Sequence, residues 1–189
     1  WMQDSAYRRR KAGWPSRGRR DEPAMSEIYF AGGCFWGVEK LFAGVRGVTG
    51  TECGYANGYR MIIPDYMTVC SGKFGFREAV KVEYNPEIVK LAHLMDVFFA
   101  VIDPTVENRQ GHDVGKQYQT GIYWTDAASE DAVKAYIDGV KWRYPEFKVE
   151  TGPLTYYVPA EEYHQKYLDK NPGGYCHISA EDMERARKG

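Results

Sequence analysis

The order in which hydrophobic periodicity switches along this chain constrains its fold more than any single residue does. Residues 28–31 (Ile28-Tyr29-Phe30-Ala31) are a continuous apolar run of strand length, and Val38, Leu41, Phe42 and Val45 then recur at helical spacing, which predicts a helix over 37–46. Residues 51–59 predict a short strand running into a loop, and residues 60–78, with Pro64 and several glycines, an irregular excursion. Residues 79–84 alternate as a strand does and stop at Asn85-Pro86. An apolar helix over 87–102 is closed by Asp103-Pro104, residues 105–119 form a long polar loop, and residues 120–124 resume a strand. The order strand–helix–strand–strand–helix–strand is that of a split βαβ unit. The expected fold class is therefore α+β, a ferredoxin-like plait with an irregular C-terminal arm.

Further elements must fit around that frame. A helix capped by Thr125 or Ser129 buries Val133, Tyr136, Ile137 and Val140. Residues 148–151 read as a final strand and 161–168 as a short helix, before a Gly- and Pro-bearing arm through Cys176. A length of 189 residues suits one domain, expected over 26–189 with the arm at 153–189. Residues 1–25 carry seven basic residues against three acidic ones and no apolar stretch of signal-peptide length, so they are expected to be a disordered leader or not part of the native start.

Charge and cysteine usage narrow the function classes. The net charge of −1 provides no field for nucleic acid or an anionic membrane, and the most apolar segment, Leu91 to Ile102, is too short to span a bilayer. The four cysteines at 34, 53, 70 and 176 include no C-x-x-C pair, so no zinc site is expected, and a chain of this length folds without a disulfide scaffold. Reduced thiols point to the cytoplasm.

One of those thiols stands in Gly32-Gly33-Cys34-Phe35-Trp36-Gly37, where the strand turns into the first helix. Unpaired N–H groups at a helix start favour thiolate over thiol, glycines permit close approach of a substrate, and Phe35 and Trp36 offer an apolar wall. A buried, inert cysteine in a tight corner explains these six residues equally well.

The wider pattern decides between them. GGCFWG resembles the signature of the A-type peptide methionine sulfoxide reductases. Tyr66 with Val69-Cys70-Ser71-Gly72 and Gly75-Phe76-Arg77-Glu78 is similar to a second block of that family. Asp103-Pro104-Thr105, Asn108-Arg109-Gln110-Gly111 and Asp113-Val114-Gly115 with Gln117-Tyr118 resemble a third. Glu162-Tyr163-His164-Gln165 and Asn171-Pro172-Gly173-Gly174-Tyr175-Cys176-His177 resemble the last, so the likeness runs over about residues 27–178 in one register.

The resemblance implies reduction of methionine-S-sulfoxide, free or in proteins, to methionine. Cys34 is then the nucleophile, Glu78 the proton donor, and Tyr66 and Tyr118 the phenols that hold the oxygen. Asp113 orders the loop and a site water, and Phe35 and Trp36 bind the methylthio group. Cys176 resolves the resulting Cys34 sulfenic acid to a disulfide, which thioredoxin, or dithiothreitol in vitro, reduces. Cys53 and Cys70 are left as structural. No bound cofactor or metal is implied, and the expected species is a monomer.

The chain departs from the family pattern at Asp65, where a threonine is usual, at Phe76-Arg77, where His-Ala is usual, and at Ile102, where a histidine is frequent. The Phe76-Arg77 change bears directly on the surroundings of Glu78. Two other classes compete with the reductase: a Cys–His hydrolase or acyltransferase built on His112, His164 or His177, and a non-catalytic methionine-binding module. Of the three, the reductase alone employs Cys34, Glu78, both tyrosines and Cys176 together.

Overall fold

The computed structural model describes residues 24–188, so the leader expected at the start of the chain falls, up to residue 23, outside the described residues. The strands are β1 (Ser26–Ala31), β2 (Val48–Ala56), β3 (Arg77–Tyr84), β4 (Arg109–Gln110), β5 (Asp113–Val114), β6 (Gly121–Trp124), β7 (Glu150–Pro153) and β8 (Tyr157–Pro159). The helices are α1 (Phe35–Ala43), α2 (Tyr66–Cys70), α3 (Leu91–Phe99), α4 (Ala127–Val140), α5 (Tyr167–Lys170) and α6 (Ala180–Lys188).

The main sheet has the order β7-β6-β1-β3-β2-β8. Its central four strands, β6-β1-β3-β2, are antiparallel throughout, which is the expected plait. Alternation along β1 explains the layering. Ile28 and Phe30 point into the main core with Val38, Leu41 and Phe42 of α1, while Tyr29 and Ala31 point to the other face. Phe30 stacks on Phe42 at 4.5 Å and packs on Phe98 of α3 at 4.8 Å, which locks both helices onto one face of the sheet.

The two outer strands were not both expected. Residues 148–151 do not end the sheet: β7 pairs parallel with β6, and β8 follows three residues later on the opposite edge. Those residues and their flanking bonds reach about 14 Å, whereas five interstrand spacings add up to about 24 Å. The sheet is therefore coiled so that its edges approach, and the link crosses its second face. Small residues make that possible, since Leu154 and Tyr157 pack over Ala31, Ala56 and Ala79. At Gly54 an added Cβ would lie 2.3 Å from the Tyr157 ring.

Other differences are local. Helix α4 is capped by Asp126, whose carboxylate accepts from the Ser129 amide at 2.9 Å and the Ser129 hydroxyl at 2.8 Å, so Ser129 is the donor and not the cap. The excursion 60–78 contains a helical turn, α2, started by Asp65 accepting from Thr68 N at 2.7 Å. Residues 161–168 break into a 3-10 turn (Glu162–His164), a left-handed Lys166 and the start of α5. Helix α6 was not foreseen. It buries only Met183 and Ala186, and it is tied down by Arg187, which donates to the Leu41 carbonyl at 3.0 Å at the end of α1.

Candidate active site

Cys34 is the N-cap of α1, and the turn into it is made by Gly33 in the left-handed region at φ +83°. An added Cβ at Gly33 would meet Gln110 at 2.7 Å, so glycine is required there on both counts. The Cys34 thiol is 6% exposed. Burial pushes it well above the ordinary thiol value, the neighbouring Glu78 adds to that, and the Trp36 amide of the helix start works against both. The helix start acts toward thiolate, as expected, but is outweighed by desolvation.

Glu78 reaches the same helix end from β3. Its Oε2 accepts from the Phe35 amide at 3.1 Å, and the side chain is 2% exposed. Burial pushes its carboxyl from 4.5 up to about 8, with Asp113 raising it further and the Phe35 hydrogen bond opposing. That shift favours the protonated form near neutral pH, the form a proton donor needs. Arg77 does not disturb it. As adjacent strand residues do, the two point to opposite faces, and Arg77 makes a bidentate pair with Glu150 at 2.8 and 3.2 Å.

Tyr66 and Tyr118 come from distant segments and are both half-buried. Burial holds both phenols protonated, and each lies within electrostatic range of Glu78 and Cys34. Tyr66 is fixed by Glu161, whose carboxylate accepts from the Tyr66 amide at 2.7 Å and the Tyr55 hydroxyl at 2.6 Å. Glu161 escaped the sequence reading, where its only signal was its place beside Glu162-Tyr163-His164-Gln165. Tyr118 is held by two buried glutamines that staple the loop 105–119. Gln110 Nε2 donates to the Asp103 carbonyl at 2.7 Å and to Thr120 Oγ1 at 2.8 Å, and Gln119 Nε2 donates to the Lys148 carbonyl at 2.7 Å. Asp113, on the same loop, accepts from the Tyr175 hydroxyl at 3.0 Å.

The aromatic pair divides its duties. Phe35 is 1% exposed, packed between Tyr55 and His164, so it forms the floor and not an open wall. Trp36 keeps a partly exposed face, stacks on Tyr167 at 3.7 Å and donates from Nε1 to His164 Nδ1 at 3.1 Å. His164 is accordingly a buried packing residue that orients Trp36.

The C-terminal arm brings Cys176 against the other side of the same helix start. A Cβ at Gly37 would lie 3.1 Å from Cys176 Sγ, and Gly37 is one helical turn beyond Cys34. All four cysteines are free thiols, and Cys53 is fully buried, donating to Glu39 at 3.2 Å. Cys70 is half-buried beside Tyr66. Cys176 opens onto a hollow of about 300 Å³ lined by Leu168, Pro172, Ile178 and Met183. Among the described residues no group of three His, Cys, Asp or Glu side chains is arranged to hold a metal, and no helix is long and apolar enough to cross a membrane.

Known proteins resemble this chain over most of its length. The family model described as "Peptide methionine sulfoxide reductase" matches residues 26–188. A protein of Mycoplasma genitalium named "Peptide methionine sulfoxide reductase MsrA" is 50% identical over 155 residues, covering 82% of this chain and 98% of the relative. The solved methionine sulfoxide reductase A of Corynebacterium diphtheriae is 35% identical at a TM-score of 0.76, covering 83% of this chain and 80% of that one. Mxr1 from Saccharomyces cerevisiae in reduced form is 34% identical at 0.77, covering 82% and 91%. Mxr1 in complex with Trx2 aligns at 0.53 and 21% identity, a likeness of fold alone covering 76% and 84%.

Proposed function

Because this chain belongs to the peptide methionine sulfoxide reductase family, we propose that its thiol-dependent reduction of methionine-S-sulfoxide is carried by Cys34, Glu78, Tyr66, Tyr118, Asp113 and Cys176. The observation that carries this assignment is the buried Glu78 carboxyl, bonded to the amide next to the nucleophile, whose burial pushes it toward the protonated form. A sulfoxide oxygen leaves its sulfur only as it gains a proton. Glu78 supplies one as the Cys34 sulfur bonds to the sulfoxide sulfur, and its carboxylate then takes up the Cys34 thiol proton. Tyr66 and Tyr118 donate hydrogen bonds to the oxygen as charge develops on it. Trp36, over the Phe35 floor, receives the methylthio end, and Asp113 orders the loop.

The bond between the Cys34 sulfur and the substrate sulfur then breaks as the oxygen moves to the Cys34 sulfur, which releases methionine, reduced by two electrons, and leaves a sulfenic acid on the enzyme. Cys176 condenses with that sulfenic acid to give a Cys34–Cys176 disulfide and water. The reductant is thioredoxin, the class of partner named in the complex of Mxr1, and the hollow over Cys176 gives it access. The substrate is methionine sulfoxide, free or in proteins. The chain acts as a monomer, every site residue coming from one chain, within a domain over 26–189 whose arm, 153–189, carries Cys176. Its free thiols fit the cytoplasm.

The test is turnover of the S and R epimers with dithiothreitol and with thioredoxin, in wild type, Cys34→Ser and Cys176→Ser. The expected result is S-specific turnover, abolished by Cys34→Ser, with Cys176→Ser losing the thioredoxin-driven reaction. Activity that survives Cys34→Ser refutes the assignment.

A further inference from the structure

The reaction as assigned leaves the buried ring of His177, on the arm, without a role. The side chain of His177, next to Cys176, is 4% exposed, and its Nε2 lies 2.9 Å from the Gly32 carbonyl oxygen. A carbonyl accepts, so Nε2 carries the hydrogen and the neutral ring keeps a bare lone pair on Nδ1. Burial lowers the ring's pKa, with Asp113 opposing, so the ring is neutral at neutral pH. Nδ1 has no hydrogen-bond partner and faces Asp113 Oδ2 at 4.0 Å. It also faces the gap left by the missing side chain of Gly37. A Cβ there would lie 3.2 Å from His177 Nδ1 and 3.1 Å from Cys176 Sγ. Base and thiol therefore border the same gap, one helical turn from Cys34.

On the reading that Cys176 resolves the Cys34 sulfenic acid, we propose that His177 Nδ1 is the base that takes the Cys176 thiol proton in that step. Cys176 requires one, since burial raises its thiol and its hydrogen is parked on the Ile178 carbonyl at 2.9 Å. As Cys176 turns toward Cys34, its sulfur bonds to the Cys34 sulfur and the S–O bond of the sulfenic acid breaks. The Cys176 proton passes to Nδ1, and Asp113, itself held by the Tyr175 hydroxyl, balances the imidazolium. That proton then joins the departing hydroxide, which leaves as water, and His177 returns to its neutral form. The other buried unpartnered atom among the described residues, His164 Nε2, belongs to a ring packed on Phe35 and Tyr66.

The experiment mixes reduced wild type, His177→Gln and His177→Ala with one equivalent of methionine-S-sulfoxide and no reductant. Methionine formation reports the Cys34 step. Trapping with dimedone against loss of both thiols reports the resolving step. Glutamine retains an N–H for the Gly32 carbonyl but is not a base. Both variants are expected to slow disulfide formation about 10²-fold relative to methionine formation, the low end for a lost general base. Sulfenic acid then accumulates, and added imidazole restores the rate in His177→Ala. A glutamine variant that resolves at the wild-type rate, or one slowed equally in both steps, overturns the proposal. Failure of the wild type to form methionine ends the reductase assignment itself, and this proposal with it.

Discussion

Replacing Glu78 with glutamine should flatten the dependence of stability on pH, by an amount set by the burial of the carboxyl. Its folded-state pKa is raised from 4.5 to about 8, so the folded protein holds this proton more tightly than the unfolded chain does. The stabilisation is fully present below pH 4.5 and is lost progressively as pH rises through about 8. Between those limits the slope is about 1.4 kcal/mol per pH unit, or about 5 kcal/mol across the whole window. That is comparable to the entire stability of a small domain, so it is measurable. Glutamine has the same shape, stays neutral, and keeps a carbonyl oxygen for the Phe35 amide. Urea unfolding of the two reduced proteins at about pH 5, 7 and 9 isolates the contribution as a difference. The curves should nearly coincide at the acid end, with the glutamine variant the more stable by several kcal/mol at the alkaline end. Curves that stay parallel throughout would mean that Glu78 is already ionised at neutral pH, and the proton-donor argument would fail with it. The same variant should lose about 10² to 10⁴ in turnover, and wild-type turnover should fall about tenfold per unit above the Glu78 pKa.

Tyr118→Phe should keep the fold and lower kcat by about 10²-fold with little change in KM, since its hydroxyl acts on charge that develops in the transition state; steady-state kinetics on the S epimer decides this. Gly37→Ala places a methyl 3.1 Å from Cys176 Sγ and 3.2 Å from His177. Single-turnover thiol counting should show normal methionine formation in that variant with slowed closure of the Cys34–Cys176 bond.

The fold was legible where local pattern decides it. Ile28 to Ala31, Val38 to Val45 and residues 79–84 carry their periods openly, and the plait follows from their order. Strand β8 and helix α6 were not legible, because three residues of Tyr157–Pro159 have no period and α6 buries only Met183 and Ala186. Both form through distant partners: the Gly54 backbone, which leaves room for Tyr157, and the carbonyls that end α1, which accept from Arg187. At the site, the motifs named Cys34, Glu78, Tyr66, Tyr118 and Cys176 as candidates, and a proton donor at Glu78 already implied a raised carboxyl, whereas the state of the Cys34 thiol was not legible. The helix start at Cys34 suggested a thiolate, and the surrounding core reversed it.

The sequence alone therefore determined the order of the central strands and their helices and the turn that places a cysteine at a helix start, because these depend on residues near one another in the chain. Tertiary structure decided which groups are stripped of water together. The upward push on the Glu78 carboxyl and the Cys34 thiol, the supports at Glu161, Gln110 and Gln119, and the bare nitrogen of His177 beside Cys176 all depend on burial by distant segments. Desolvation is a property of the packed whole, and no local pattern encodes it.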